Sequence, residues 1–92
     1  MEYPILYNKQ VVKDDIPKLS KKDKVAIKKA IEQKLTTRPE LYGKPLRTSL
    51  VGFRKLRVIN HRIIFEITKN KVIIFTIGHR KDVYETAKKR LA

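Results

Sequence analysis

The stretch Gly52-Phe53-Arg54-Lys55-Leu56-Arg57-Val58-Ile59, followed by Arg62-Ile63-Ile64-Phe65-Glu66-Ile67-Thr68 and Val72-Ile73-Ile74-Phe75-Thr76-Ile77, decides the fold. These segments are rich in branched and aromatic residues and are separated by polar breaks, which reads as strands. In the first, alternation puts Arg54, Leu56 and Val58 on one face and Phe53, Lys55 and Arg57 on the other. Asn60-His61 and Lys69-Asn70-Lys71 read as tight turns. The three segments therefore predict an antiparallel meander of consecutive strands.

Upstream, Tyr3-Pro4-Ile5-Leu6-Tyr7 predicts a first strand near a sheet edge, because Pro4 cannot donate to a ladder. Val11, Val12, Ile16 and Leu19 supply an apolar helical face from about Lys9, and Pro17 ends or kinks that segment. Ser20 with Asp23 three places on resembles a capping box. Ile27, Ala30, Ile31 and Leu35 then recur at helical spacing, which predicts a helix over 21–35. Lys21, Lys22, Lys28, Lys29 and Glu32 form its solvated face. The segment 36–44 contains Pro39 and Gly43 and reads as loop, and a last helix is expected over 82–91. The expected class is α+β in a single domain, 1–92. A strand and two helices precede the three-stranded meander, a C-terminal helix closes it, and the helices pack on one face of the sheet.

The chain has 92 residues, 41% of them hydrophobic and 35% charged. Twenty-three Lys and Arg against nine Asp and Glu leave a net charge of +14, a self-repelling field that suits a polyanionic partner. No run of about 18 apolar residues, signal peptide or lipidation motif is present, so no membrane partner is expected and a cytoplasmic location is. Absence of Cys excludes disulfides, Cys-containing zinc sites and thiol nucleophiles. Two distant histidines predict no metal and no cofactor. Any catalysis would rest on Arg, Lys, His, Tyr and a few carboxylates.

Cutting RNA without a metal requires a proton to leave the 2′-hydroxyl, neutralisation of the extra charge on phosphorus, and protonation of the leaving 5′-oxygen. Arginine suits the middle role, since its fork matches two phosphate oxygens. Lys55, Arg57 and Arg62 lie on or beside one hairpin; His79, Arg80 and Tyr84 lie at and after the final strand. A meander can bring these strand ends together on one phosphate. Each also has a plainer reading. Arg62 could cap an exposed hairpin, Lys55 and Arg57 could be a solvated strand face, His79 a surface histidine, and Tyr84 a core aromatic.

Taken together, Lys44-Pro45-Leu46, Leu50, the run Gly52 to Val58, His61 to Glu66, and the ending Val72-Ile73-Ile74-Phe75 with Gly78-His79-Arg80-Lys81-Asp82-Val83-Tyr84 resemble the RelE/ParE toxin superfamily, in its RelE and YoeB-like branch. The resemblance implies the RelE-like microbial ribonuclease fold. It also implies a type II toxin, a messenger-RNA interferase that cuts in the ribosomal A site and is held by an acidic RelB-like antitoxin. Its partners would be messenger, ribosome with its 16S rRNA, and antitoxin in a hetero-oligomer, the toxin alone being monomeric. By the same resemblance Arg62 and Arg80 would neutralise the scissile phosphate, and Lys55 would stabilise the transition state or handle a proton. Tyr84 would orient or stack on RNA, and His79 would be a general acid or base. Arg54, Arg57, Lys44 and Lys81 would be RNA contacts. Two departures stand out: Phe53 replaces a second lysine of RelE, and Gly43-Lys44 stand where YoeB-like members carry a glutamate base. The proton acceptor is left unassigned. Two other functions remain open, a ParE-like gyrase inhibitor and a non-catalytic basic nucleic-acid-binding module.

Overall fold

A computed structural model describes residues 2–92. Strand β1 (Ile5–Tyr7) leads into a π-helical turn over Val11–Asp15 and a 3-10 turn over Ile16–Lys18. Helix α1 (Lys21–Ala30) continues as a π turn to Leu35. A short α2 (Pro39–Tyr42) and β2 (Lys44–Pro45) follow. The meander β3 (Arg54–Val58), β4 (His61–Thr68) and β5 (Lys71–His79) precedes α3 (Val83–Leu91). The strands form one sheet in the order β1-β5-β4-β3-β2, with β1 parallel to β5 and the other pairs antiparallel. Both edges are short and each has a proline in or beside it, Pro4 and Pro45, which discourages further strand addition. No helix among the described residues is long and apolar enough to cross a membrane.

The meander, the edge position of the first strand and the long helix agree with the sequence reading. Ser20 Oγ accepts the Asp23 N–H at 3.1 Å, and Ile27, Ile31 and Leu35 are buried. The α+β class holds, but the expectation that the helices share one face is corrected. Ile63 and Phe65 of β4 face a core with Ile27, Ile31 and Leu35, whereas Ile64 faces Leu50, Val83 and Ala87 on the other side. Helix α3 therefore covers the face opposite α1. The reason was already in the run Ile63-Ile64-Phe65: three consecutive apolar residues, all fully buried, need cover on both sides of a strand.

Three local expectations are also revised. The segment 36–44 is not plain loop: Pro39 at the first turn starts α2, and Lys44-Pro45 add a strand beside β3. Val12 is exposed, because the backbone there winds as a π turn and not at 3.6 residues per turn. The β3–β4 turn is Ile59-Asn60, with His61 already opposite Val58 in the ladder. The β4–β5 turn carries Lys69 and Asn70 both at positive φ (48° and 64°), the geometry that matches strand twist.

Two features fix what the site rests on. A β-bulge sets Thr76 opposite Ile64 and Ile74 opposite Phe65, leaving Phe75 extra; its ring meets Phe53 at 4.9 Å under α3. Gly43 is buried where a Cβ would overlap the ring of Phe65, lying 2.8 Å from Cε1, and would sit 3.1 Å from the Cβ of Arg54. Gly43→Ala is expected to cost about 1–3 kcal/mol through overpacking. Thermal denaturation checks this, and an unchanged Tm would mean that α2 can move away at no cost.

Beyond Tyr7 the outer edge of β5 has no strand partner among the described residues, and the Ile77 N–H donates instead to Asp15 Oδ2 at 2.9 Å. Arg90 of α3 reaches round this edge and donates to both oxygens of the same carboxylate at 2.7 Å. The two side chains are 9% and 6% exposed. This bidentate pair ties the layer before α1 to α3 on the opposite face.

Candidate functional site

Lys44, Lys55, Arg57 and Arg62, with Tyr42, line one concave pocket of about 190 Å3 on the α3 side of the sheet. The placement follows from period two. Leu56 and Val58 point into the α1-side core, so Lys55 and Arg57 point the other way. On β4 the same rule puts Arg62 on the face of Ile64. The antiparallel register then sets Arg57 directly opposite Arg62, and Lys44 opposite Lys55. Tyr84 of α3 closes the row, with Lys55 Nζ 5.7 Å from its ring centroid.

This register is costly by itself. Like charges directly opposite in a ladder destabilise it. The turn that enforces it holds Ile59 at φ 56°, where a β-branched residue is strained by roughly 1–2 kcal/mol. Had Asn60-His61 formed the turn, Arg57 would face Ile64 and the two arginines would be out of register. Both costs fall on the same few residues, and a bound group that supplies negative charge would offset the like-charge cost. Ile59 is 57% exposed, so Ile59→Gly relieves the strain and loses little packing. It is expected to raise stability by about 0.5 kcal/mol, a few degrees in Tm; a lowered Tm would count against strain at this turn.

Electrostatically the row is unneutralised. Among the described residues, the Asp15–Arg90 ion pair and the contact of Asp23 with His61 involve none of its cations. Arg62 is held in place: its Nη1 donates to the carbonyls of Ile59 (3.2 Å) and His61 (2.9 Å), tying one end of the fork to the turn. Among the described residues no three His, Asp or Glu side chains come together as a metal-ligand set.

The other predicted positions separate. Arg80 follows the end of β5 in an exposed turn, where its N–H donates to Asn60 O at 2.8 Å. Strand alternation past Gly78, the partner of Arg62, carries Arg80 toward the same face. Lys81 is exposed in that turn and its N–H donates to His79 Nδ1. His79 pairs with His61 on the α1 side of the sheet, the rings 5.9 Å apart, and so stands on the face opposite the cation row. Arg54 is likewise on the α1 side, where its Nη1 donates to the carbonyls of Glu40 and Gly43 and pins the end of α2. Of the residues expected to converge, Lys55, Arg57 and Arg62 share the pocket, Tyr84 adjoins Lys55, Arg80 lies in the turn beyond β5 and His79 goes to the other face; of the expected RNA contacts, Lys44 joins the pocket and Arg54 does not.

Two features, one in the site and one in the scaffold, carried no readable signal. Tyr42 lies in a segment that reads as loop, and only the pairing of β2 brings it to the pocket. The Asp15–Arg90 pair joins residues 75 positions apart in sequence.

Comparison with known proteins gives three findings. The family described as the ParE toxin of the type II toxin-antitoxin system, parDE, matches residues 6–84. Among solved structures, the toxin-antitoxin complex RelBE2 from Mycobacterium tuberculosis is similar with a TM-score of 0.80 and 26% identity, over 87% of this chain and 100% of that one. A mutant of the Escherichia coli toxin RelE in the free state superposes with a TM-score of 0.75 at 20% identity over the whole of both chains. The YoeB-YefM complex from Staphylococcus aureus follows at 0.63 and 19%, over 87% and 99%. No protein in the curated set matches the sequence.

Proposed function

Since the chain belongs to the RelE/ParE superfamily of type II toxin-antitoxin toxins, its ParE-toxin family matching residues 6–84, we propose that it is a ribosome-dependent endoribonuclease that cuts messenger RNA in the A site and so stops translation. The observation that carries this reading is the row Lys44, Lys55, Arg57 and Arg62 lining one pocket with no acidic counterpart. Arg57 and Arg62 face each other across the ladder and would grip the scissile phosphate through two forks, where the charge grows as the 2′-oxygen attacks phosphorus. The P–O5′ bond then breaks, leaving a 2′,3′-cyclic phosphate and a 5′-hydroxyl. The 2′-hydroxyl proton leaves as the attack proceeds and the departing 5′-oxygen gains one. Lys55 stands beside this phosphate and Tyr84 beneath Lys55, a ring available to a base. Arg80 adds charge from the turn. His79, on the far face, acts in this reading only if the RNA wraps the sheet end.

The cognate inhibitor is an acidic antitoxin chain that covers the cation row or draws α3 and Tyr84 away from it, as expected for a partner of a +14 surface. A cytoplasmic site of action goes with this reading.

A second reading is favoured by the family description itself: a ParE-type inhibitor that binds DNA gyrase and does no RNA chemistry. One experiment separates them. The chain is induced in translating cells and messenger 5′ ends are mapped during growth arrest. Cuts in register with codons support the nuclease. Arrest with intact messengers and loss of gyrase supercoiling activity establishes the other branch.

A further inference from the structure

Tyr42 is 47% exposed at the last position of α2, yet the backbone beside it is held firmly. Gly43 is buried against Phe65, and Arg54 donates to the carbonyls on either side of Tyr42, those of Glu40 and Gly43. The ring belongs to neither core cluster. Lys34 Nζ lies 5.7 Å from its centroid, covering one face. The ring also borders the pocket of Lys44, Lys55, Arg57 and Arg62.

Tyr84 has the same arrangement on the other side: an aromatic ring with a lysine, Lys55, 5.7 Å from its centroid. Tyr42 enters from the β2 edge, and Tyr84 descends from α3, which packs over β4 and β5. Two to three strand spacings separate these positions, roughly 10–15 Å. The cation row runs between them. An aromatic at each end of a basic groove, Tyr42 exposed and Tyr84 half-buried against the α3-side core, is the arrangement that single-stranded nucleic acid uses, with phosphates on the cations and bases on the rings.

We propose that Tyr42 is a nucleobase-stacking subsite, a second aromatic platform that takes a base of single-stranded RNA on the opposite side of the cation row from Tyr84. It rests on the ribonuclease reading for the identity of the ligand. The subsite is tolerant of base identity, because every base offers a π face. Its contribution is to binding and register of the RNA across Arg57 and Arg62.

The test uses purified ribosomes programmed with a short messenger in which one abasic nucleotide is moved through the A-site codon and its neighbours. With the wild-type chain, kcat/KM should fall about 10- to 100-fold at two positions, one for each ring. Tyr42→Ala should lose a similar factor on the intact messenger, mainly in KM, and be insensitive to the abasic nucleotide at one of those positions while responding at the other. Tyr42→Phe, which keeps the ring, should behave as wild type. If the wild-type chain cleaves but the abasic profile of Tyr42→Ala is unchanged, the subsite is wrong and the nuclease stands. If the wild-type chain cleaves no messenger, both fall.

Discussion

Arg62→Ala is expected to slow messenger cleavage on programmed ribosomes by about 100- to 1000-fold, the usual consequence of removing one preorganised group that neutralises developing charge. The size follows from how the side chain is held. Two carbonyls, of Ile59 and His61, fix one end of the guanidinium, so the remaining donors are aimed before RNA arrives and little ordering is left for the reaction itself. Stability should change little or rise slightly, because the substitution removes a like-charge pair with Arg57. Arg62→Lys should recover only part of the rate, since an ammonium restores the charge but not the fork. The measurement is single-turnover cleavage with a parallel melt. A cleavage rate within a few-fold of wild type, in a folded variant, would remove Arg62 from the phosphate.

Asp15→Ala is expected to cost about 3–5 kcal/mol of folding stability, a large share of what a small domain has. The cost has two sources. The Arg90 guanidinium, 9% exposed, would lose the carboxylate that takes both of its donors, and the Ile77 N–H would lose its acceptor on the open edge of β5. Replacing Asp15 and Arg90 together by apolar residues of similar volume should recover most of the loss, because neither charge is then stranded. Chemical denaturation of the two single variants and the double variant tests this, and additive losses would deny that the pair acts as a unit. The Asp15 hydrogen bonds, and after the opposing effect of burial the Asp14 and Asp15 charges, hold the Arg90 pKa above its ordinary value. A cation whose folded pKa is raised contributes fully below its unfolded value and loses that contribution only as pH rises through the folded one. The Arg90 contribution is therefore expected to be flat across the neutral range.

The sequence was most informative where neighbours in the chain decide the outcome. Strand alternation placed Lys55 and Arg57 on the face away from Leu56 and Val58, and the cap at Ser20 and the apolar spacing of Ile27, Ile31 and Leu35 located the long helix. The run Ile63-Ile64-Phe65 also contained the two-sided burial, which the expectation of helices on one face leaves out. The motifs around Arg62 and Gly78 to Tyr84 pointed to the superfamily that the family match shows.

By itself, then, the sequence determined the strands, the long helix, the faces of β3 and the superfamily, because hydrophobic period and capping act over a few residues. Tertiary structure alone decided which cations meet. The turn at Ile59-Asn60 sets Arg57 against Arg62 at a local cost that propensity would avoid, and the same register carries His79 to the far face. Tyr42 reaches the pocket through the pairing of β2, and Asp15 finds Arg90 around the open edge of β5. These are long-range matches, settled by the packing of both cores at once, and no local pattern encodes them.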